Sequence, residues 1–148
     1  MNTIAEAKQH LRANFEKGTE CPCCGQFVKL YKRKLNSGMA ITLIRIFNRG
    51  SDWVNVKEFL RQNKFKNSHD WTLLKYWGLL EESDKSTNDR NSGSWKITEQ
   101  GVRFVKNELS VKKHLYFFDS RSYGFSDETT NIMEALGNKF NYYELLSA

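Results

Sequence analysis

The chain has 148 residues, 39% of them hydrophobic, 14% aromatic and 27% charged; this is one domain with appendages or two small ones, not a multidomain enzyme and not a wholly disordered chain. Its net charge of +6 invites a polyanion as partner, and the whole surplus lies in residues 1–50, with nine Lys/Arg against three Asp/Glu, the rest being balanced. Apolar runs fall far short of the roughly 20 residues that cross a bilayer, and Met1–Glu6 has neither the basic start nor the apolar middle of a signal peptide, so a cytoplasmic protein is expected.

From Asn2 to Lys17, Ile4, Leu11 and Phe15 recur at intervals of seven and four before Gly18, which predicts an amphipathic helix. Its narrow apolar stripe has to dock on the chain's own core or on a second copy. Gly18–Gly25 reads as a turn and Gln26–Lys32 as a short strand. Asn36 or Ser37 caps a helix whose Met39, Ala40, Leu43, Ile44, Ile46 and Phe47 cover more than one face, with Gly50 beyond its end; this helix is expected at the centre of the core.

Asn55 caps the next helix, with Glu58 placed to reach back as in a capping box and Val56, Phe59 and Leu60 facing inward. After a polar turn, Asn67 caps a third helix that runs to Trp77 and stops at Gly78. Leu79–Glu81 and Ser94–Ile97 form a hairpin around the polar run Glu82–Gly93. Thr98 caps a helix carrying Val102, Val105 and Leu109. The tail reads as a second hairpin, Lys113–Phe118 and Tyr123–Phe125. A helix opened by Ser126, Asp127 and Glu128 follows, running through Ile132, Met133 and Leu136 to Gly137, and the end, rich in Phe140, Tyr142, Tyr143, Leu145 and Leu146, is too apolar to be a free tail. These elements divide into an N-terminal helix and Cys-rich knuckle (1–35), a middle domain (36–110) and a C-terminal hairpin and helix (111–148).

Cys21, Cys23 and Cys24 lie too close together for a disulfide framework, which points to a reducing compartment. Cys21-Pro22-Cys23-Cys24-Gly25 resembles a zinc-ribbon knuckle, in which two cysteines three apart present thiolates from a tight turn. One knuckle supplies half a site. A structural zinc needs Cys23 plus His10, His69 or His114, or the knuckle of another chain; the alternative is a turn held by Pro22 and Gly25 with reduced thiols and no cofactor.

The stretch from Ser37 to about Leu109 resembles a winged helix-turn-helix domain. Leu74-Lys75-Tyr76-Trp77-Gly78-Leu79-Leu80-Glu81 and Ser92-Gly93-Ser94-Trp95-Lys96-Ile97-Thr98-Glu99-Gln100-Gly101 carry the likeness. The whole chain is similar to small bacteriophage or prophage proteins that pair a Cys-Pro-x-Cys-Gly element with such a domain. The resemblance implies an α+β fold with a winged core and a third helix, 67–77, that enters the major groove of duplex DNA. Ser68, His69, Thr72 and Tyr76 then reach base edges, and Lys57, Arg61, Lys64, Lys66 and Lys75 pair with phosphates. A homodimeric transcriptional regulator is expected.

Two features run against the likeness. The wing carries Glu81, Glu82, Asp84 and Asp89 against Lys85 and Arg90, and Asp70 sits beside the reading helix. The basic cluster Lys29, Lys32, Arg33, Lys34, Arg45 and Arg49 is the alternative contact surface, or a solvated face without a partner. The competing function is a winged-helix module that binds a host replication or transcription factor through the aromatics around Tyr76, Trp77 and Tyr116–Phe118. No phosphate-binding glycine loop, metalloprotease helix or thioredoxin-like pattern accompanies these residues, so no enzyme is expected.

Overall fold

The computed structural model describes residues 3–65, 69–83, 93–118 and 121–147. In chain order the elements are α1 (Ile4–Asn14), β1 (Thr19–Glu20), β2 (Phe27–Val28), β3 (Tyr31–Lys34), α2 (Ser37–Arg49), β4 (Val54–Asn55), α3 (Val56–Gln62), a 3₁₀ helix (His69–Lys75), β5 (Leu80–Glu82), β6 (Ser94–Ile97) and α4 (Glu99–Val105). They continue with β7 (Val111–Lys112), β8 (His114–Phe118), β9 (Arg121–Phe125), β10 (Thr129–Thr130), α5 (Ile132–Leu136), a short 3₁₀ turn (Gly137–Lys139) and α6 (Tyr142–Ser147). The fold is mixed α and β, with four small antiparallel sheets among the described residues. No helix among those residues is long and apolar enough to cross a membrane.

The chain forms two units that do not follow its linear segments: residues 1–34 with 114–126, and residues 35–113 with 127–148. In the smaller unit Thr3 caps α1, its side chain accepting from the Glu6 amide at 3.1 Å. Ala7 is buried and Ile4 is 71% exposed, so the docked face is narrower than the Ile4–Leu11–Phe15 stripe predicted. Phe15 meets the edges of Phe118 and Tyr123, with ring centroids 5.5 and 5.4 Å away. The strand expected over 26–32 is interrupted: Phe27–Val28 pairs with β1, and Tyr31–Lys34 pairs with β8, the centre of a β3-β8-β9 sheet around buried Leu115.

The larger unit is built on α2. Met39, Ala40, Leu43, Ile44 and Ile46 are fully buried, and Ile41 and Thr42 nearly so, because α4, α5, α6, β6 and the 3₁₀ helix pack around it. Each buried Leu or Ile contributes about 1.5–3 kcal/mol. Asn36 caps α2, accepting from the Met39 amide at 2.9 Å, and the Gly50 amide closes it on the Ile46 carbonyl. β4, β6 and β5 form a sheet in that order, with Trp95 and Ile97 buried on one side of β6 as alternation predicts. Thr98 starts α4, its Oγ1 accepting from the Gly101 amide at 3.0 Å and donating to the Gly78 carbonyl at 2.6 Å.

Three local expectations change. Asn55 does cap α3, accepting from the Glu58 amide, but the Glu58 carboxylate turns to Arg61 and Gln62 instead of reaching back. The helix expected from Ser126 begins at Ile132, capped by Asn131. Ser126 is buried and its amide donates to the His114 carbonyl at 3.0 Å, which keeps the backbone there extended, and residues 129–130 pair with β7. The third helix is 3₁₀ over His69–Lys75, not α over 67–77. Trp71 and Leu74 stand three apart, the period that stacks them on one stripe of a 3₁₀ helix. Trp71 and Leu74 are buried there, with Trp71 edge-on to Trp95 at 5.0 Å. Lys66, Asn67, Ser68 and most of the polar run within Glu82–Gly93 lie outside the described residues.

Candidate nucleic-acid interface

α3, the turn after it and the 3₁₀ helix carry the side chains assigned to DNA. Lys57, in the first turn of α3, is exposed and has no ion-pair partner among the described residues. Arg61 is different. Its Nη2 and Nε donate to the two carboxylate oxygens of Glu58, the latter at 3.1 Å, and Gln62 Nε2 adds a third contact at 3.3 Å. The hydrogen bond from Arg61 holds the Glu58 carboxyl below the usual carboxylate range, and the same bond raises the Arg61 guanidinium. The Arg61 side chain is 73% exposed, so this is a solvent-screened surface pair of the kind a phosphate can replace.

Lys64 is exposed and unpaired among the described residues, in the left-handed region at φ +56°, where its amide donates to the Arg61 carbonyl and ends the helix. The next residue, Phe65, turns inward against Phe59, with centroids 6.1 Å apart. In the 3₁₀ helix, residues three apart share a stripe. Thr72 and Lys75 therefore lie over the backbone of residue 69, beside the buried Trp71–Leu74 stripe. Thr72 is half-buried and Lys75 exposed, while Tyr76, in the turn that follows, is half-buried.

Lys75 Nζ sits 3.3 Å from Glu82 Oε2 on β5 and 5.3 Å from the centre of the Tyr76 ring, so this cation already has a carboxylate partner from the hairpin. Glu81 is exposed. Asp84, Lys85, Asp89 and Arg90 lie outside the described residues, as do Lys66 and Ser68.

Two cation–aromatic pairs were not foreseen from the sequence. Lys96 lies 5.8 Å over the ring of Trp53, which is 44% exposed, and Arg45 lies 3.8 Å over Phe65. Strand alternation opposite Trp95 and Ile97 points to an outward Lys96; nothing in the spacing of Arg45 and Phe65 signals their contact. The basic cluster of the first third is divided between the units. Lys32, Arg33 and Lys34 belong to β3, exposed along its whole length, where charge also discourages further strand pairing, and Arg45 and Arg49 belong to α2. Of the aromatics assigned to protein docking, Tyr76, Trp77 and Tyr116–Phe118 are half-buried, and Trp77 Nε1 donates to the Lys112 carbonyl at 2.6 Å. The more exposed apolar side chains of the larger unit are Trp53, Met133, Phe140 and Tyr143.

The cysteine turn has the local geometry of a knuckle. The Cys21 amide donates to the Gln26 carbonyl at 2.7 Å and the Gly25 amide to the Cys21 carbonyl at 2.8 Å, and Gly25 supplies the required φ of +75°. Backbone N–H groups of Cys23 and then Cys24 point at the Cys21 sulfur and lower its pKa. The donor set is nevertheless incomplete: among the described residues no three His, Cys, Asp or Glu side chains converge to hold a metal ion. His10 Nε2 is engaged by Thr19 Oγ1 at 3.0 Å, and His114 Nδ1 lies 3.4 Å from Ser126 Oγ. Among the described residues, neither histidine adds to the cysteine turn the ligands of a tetrahedral zinc site.

The chain matches no known family model, no curated protein and no solved structure.

Proposed function

We propose that the chain is a small duplex-DNA-binding protein with a winged-helix core, acting as a phage or prophage transcriptional regulator. The observation that supports this reading is the order helix, strand, helix, 3₁₀ helix, hairpin, helix with sheet order β4-β6-β5; in a winged helix-turn-helix domain α3 and the 3₁₀ helix would be the supporting and reading helices. Lys57 and Lys64 offer phosphates cations without an ion-pair partner among the described residues, and Arg61 and Lys75 offer cations for which a phosphate would replace Glu58 and Glu82. Thr72 contributes a hydroxyl and a methyl at the base edges. A dimer would read two half-sites and multiply the specificity of a module this small.

Fluorescence anisotropy on duplex libraries tests it. Affinity is expected to fall between about 50 and 200 mM salt with a log–log slope near −0.9 per neutralised phosphate. Lys57→Ala and Lys64→Ala each flatten that slope by about one, and Thr72→Ala changes sequence preference more than salt sensitivity. Absence of duplex binding at the lower salt refutes the reading. The 69% exposure of Tyr143, together with exposed Phe140 and Met133, favours as second reading a module that docks on a host protein, which duplex binding at low salt with these slopes would displace.

A further inference from the structure

A cleft of about 360 Å³ opens between the end of α2, α3 and α6, lined by Arg45, Asn48, Arg49, Phe59, Asn63, Phe65 and Leu145. Pockets that hold small ligands begin near this size, at about 300 Å³. Arg45, Asn48 and Arg49 stand at i, i+3 and i+4 and so share one face of α2. The opposite wall is apolar: Phe59 and Phe65 meet edge to face, and Leu145 closes the end. Both carboxamides are held in place, Asn48 Nδ2 by the Leu145 carbonyl at 2.7 Å and Asn63 Nδ2 by the Phe59 carbonyl at 2.9 Å.

The charge in this cleft is one-sided. Neither Arg45 nor Arg49 has a carboxylate within ion-pair distance among the described residues, and no Asp or Glu lines the cleft. Burial lowers the Arg45 pKa, yet a guanidinium stays protonated throughout the working range, so a partly desolvated cation is left with only the Phe65 face, 3.8 Å away, to offset it. The negative end of the α2 dipole weakly opposes an anion here. Two guanidinium groups, each able to form charge-assisted hydrogen bonds to a carboxylate, outweigh that.

We infer that this cleft is a binding site for a small organic carboxylate with a flat apolar body, the carboxylate held by Arg45 and Arg49 and the body lying against Phe59 and Phe65. It involves none of the residues that the proposed function assigns to DNA, namely Lys57, Arg61, Lys64, Thr72 and Lys75, so it stands or falls separately from that reading.

The test is a titration of the full chain with benzoate, its neutral isostere benzamide and inorganic phosphate, followed by two-dimensional NMR of backbone amides and arginine Nε–H groups. Benzoate is expected to give saturable shifts centred on Arg45, Arg49 and Phe65, with benzamide and phosphate each at least about tenfold weaker, because one lacks the charge and the other the apolar body. Arg49→Gln, an exposed change that leaves the Arg45–Phe65 stack intact, should weaken benzoate by about tenfold or more, and Lys64→Gln should leave it unchanged. Benzoate shifts that do not saturate, that benzamide reproduces at equal concentration, or that survive in Arg49→Gln overturn the assignment. Phosphate binding as tightly as benzoate overturns the apolar half of it.

Discussion

Gly101 is the residue at which the resemblance motif becomes a packing requirement. It lies inside α4, and a methyl group built on it would stand 2.2 Å from the Leu79 carbonyl oxygen, 2.7 Å from Ile97 Cγ1 and 3.1 Å from the Leu79 carbonyl carbon. Leu79 is fully buried and its carbonyl accepts from the Thr98 amide at 3.1 Å, so the oxygen has no room to retreat. Gly101→Ala gains about 1 kcal/mol from helix propensity. Overpacking costs about 1–3 kcal/mol, and contact with a fixed backbone carbonyl puts this site at the upper end. The net expectation is a loss of about 2 kcal/mol, or a Tm lower by about 4–8 °C in a chain of this length. Gly38→Ala is the control: it also lies in a helix, but its nearest neighbour would be Asn36 Oδ1 at 3.4 Å, and stability should stay level or rise slightly. All four tryptophans, Trp53, Trp71, Trp77 and Trp95, belong to the larger unit, so thermal unfolding read by tryptophan fluorescence reports on that unit alone. A Gly101→Ala protein as stable as the parent would refute the reasoning.

Thr98→Ala removes both a cap and a donor to the Gly78 carbonyl and should cost about 1–2 kcal/mol in urea unfolding, with Thr98→Ser restoring most of it. Tyr142→Phe keeps the ring in place but deprives the buried Val105 carbonyl of its hydroxyl donor; a loss of about 1–2 kcal/mol is expected by the same assay, and no change would show that water replaces the bond. In a Cys23→Ser, Cys24→Ser protein the backbone N–H groups at 23 and 24 persist, so Cys21 should react with iodoacetamide with a pH midpoint below that of a free thiol, near 8.5; a midpoint at or above that value would contradict the turn geometry.

Caps and alternation were legible in the sequence because they act over three or four residues. Asn36, Asn55 and Thr98 cap as read, and Trp95 and Ile97 fall on the buried side of their strand. What escaped was decided by distant partners. The helix start at Ser126 looked sound, with two acidic residues behind it, until the His114 backbone claimed the Ser126 amide. Glu58 had two uses, a backbone amide or Arg61, and spacing alone does not rank them. Trp71, Leu74 and Gly78 fall at steps of three and four, a spacing that reads as an α-helix, and the three-residue step from Trp71 to Leu74 fits a 3₁₀ helix equally well. Of the candidate DNA contacts, Lys57 lies on α3, Lys64 just after it, and Thr72 and Lys75 on the 3₁₀ helix. The arginine cleft, made by residues 45 to 145, has no local signature at all.

The chain passes between its two units after Lys34, after Lys113 and after Ser126. A ribosome delivering this chain releases β3 long before β8, its pairing strand, and releases α2 long before α5 and α6, which cover it. The smaller unit cannot close until residues 114–126 have emerged, nor the larger until residues 127–148 have, so the side of α2 that α5 and α6 cover waits open to chaperones and proteases in the interval. A premature stop codon between residues 113 and 126 would therefore leave both units unfinished rather than sparing one of them.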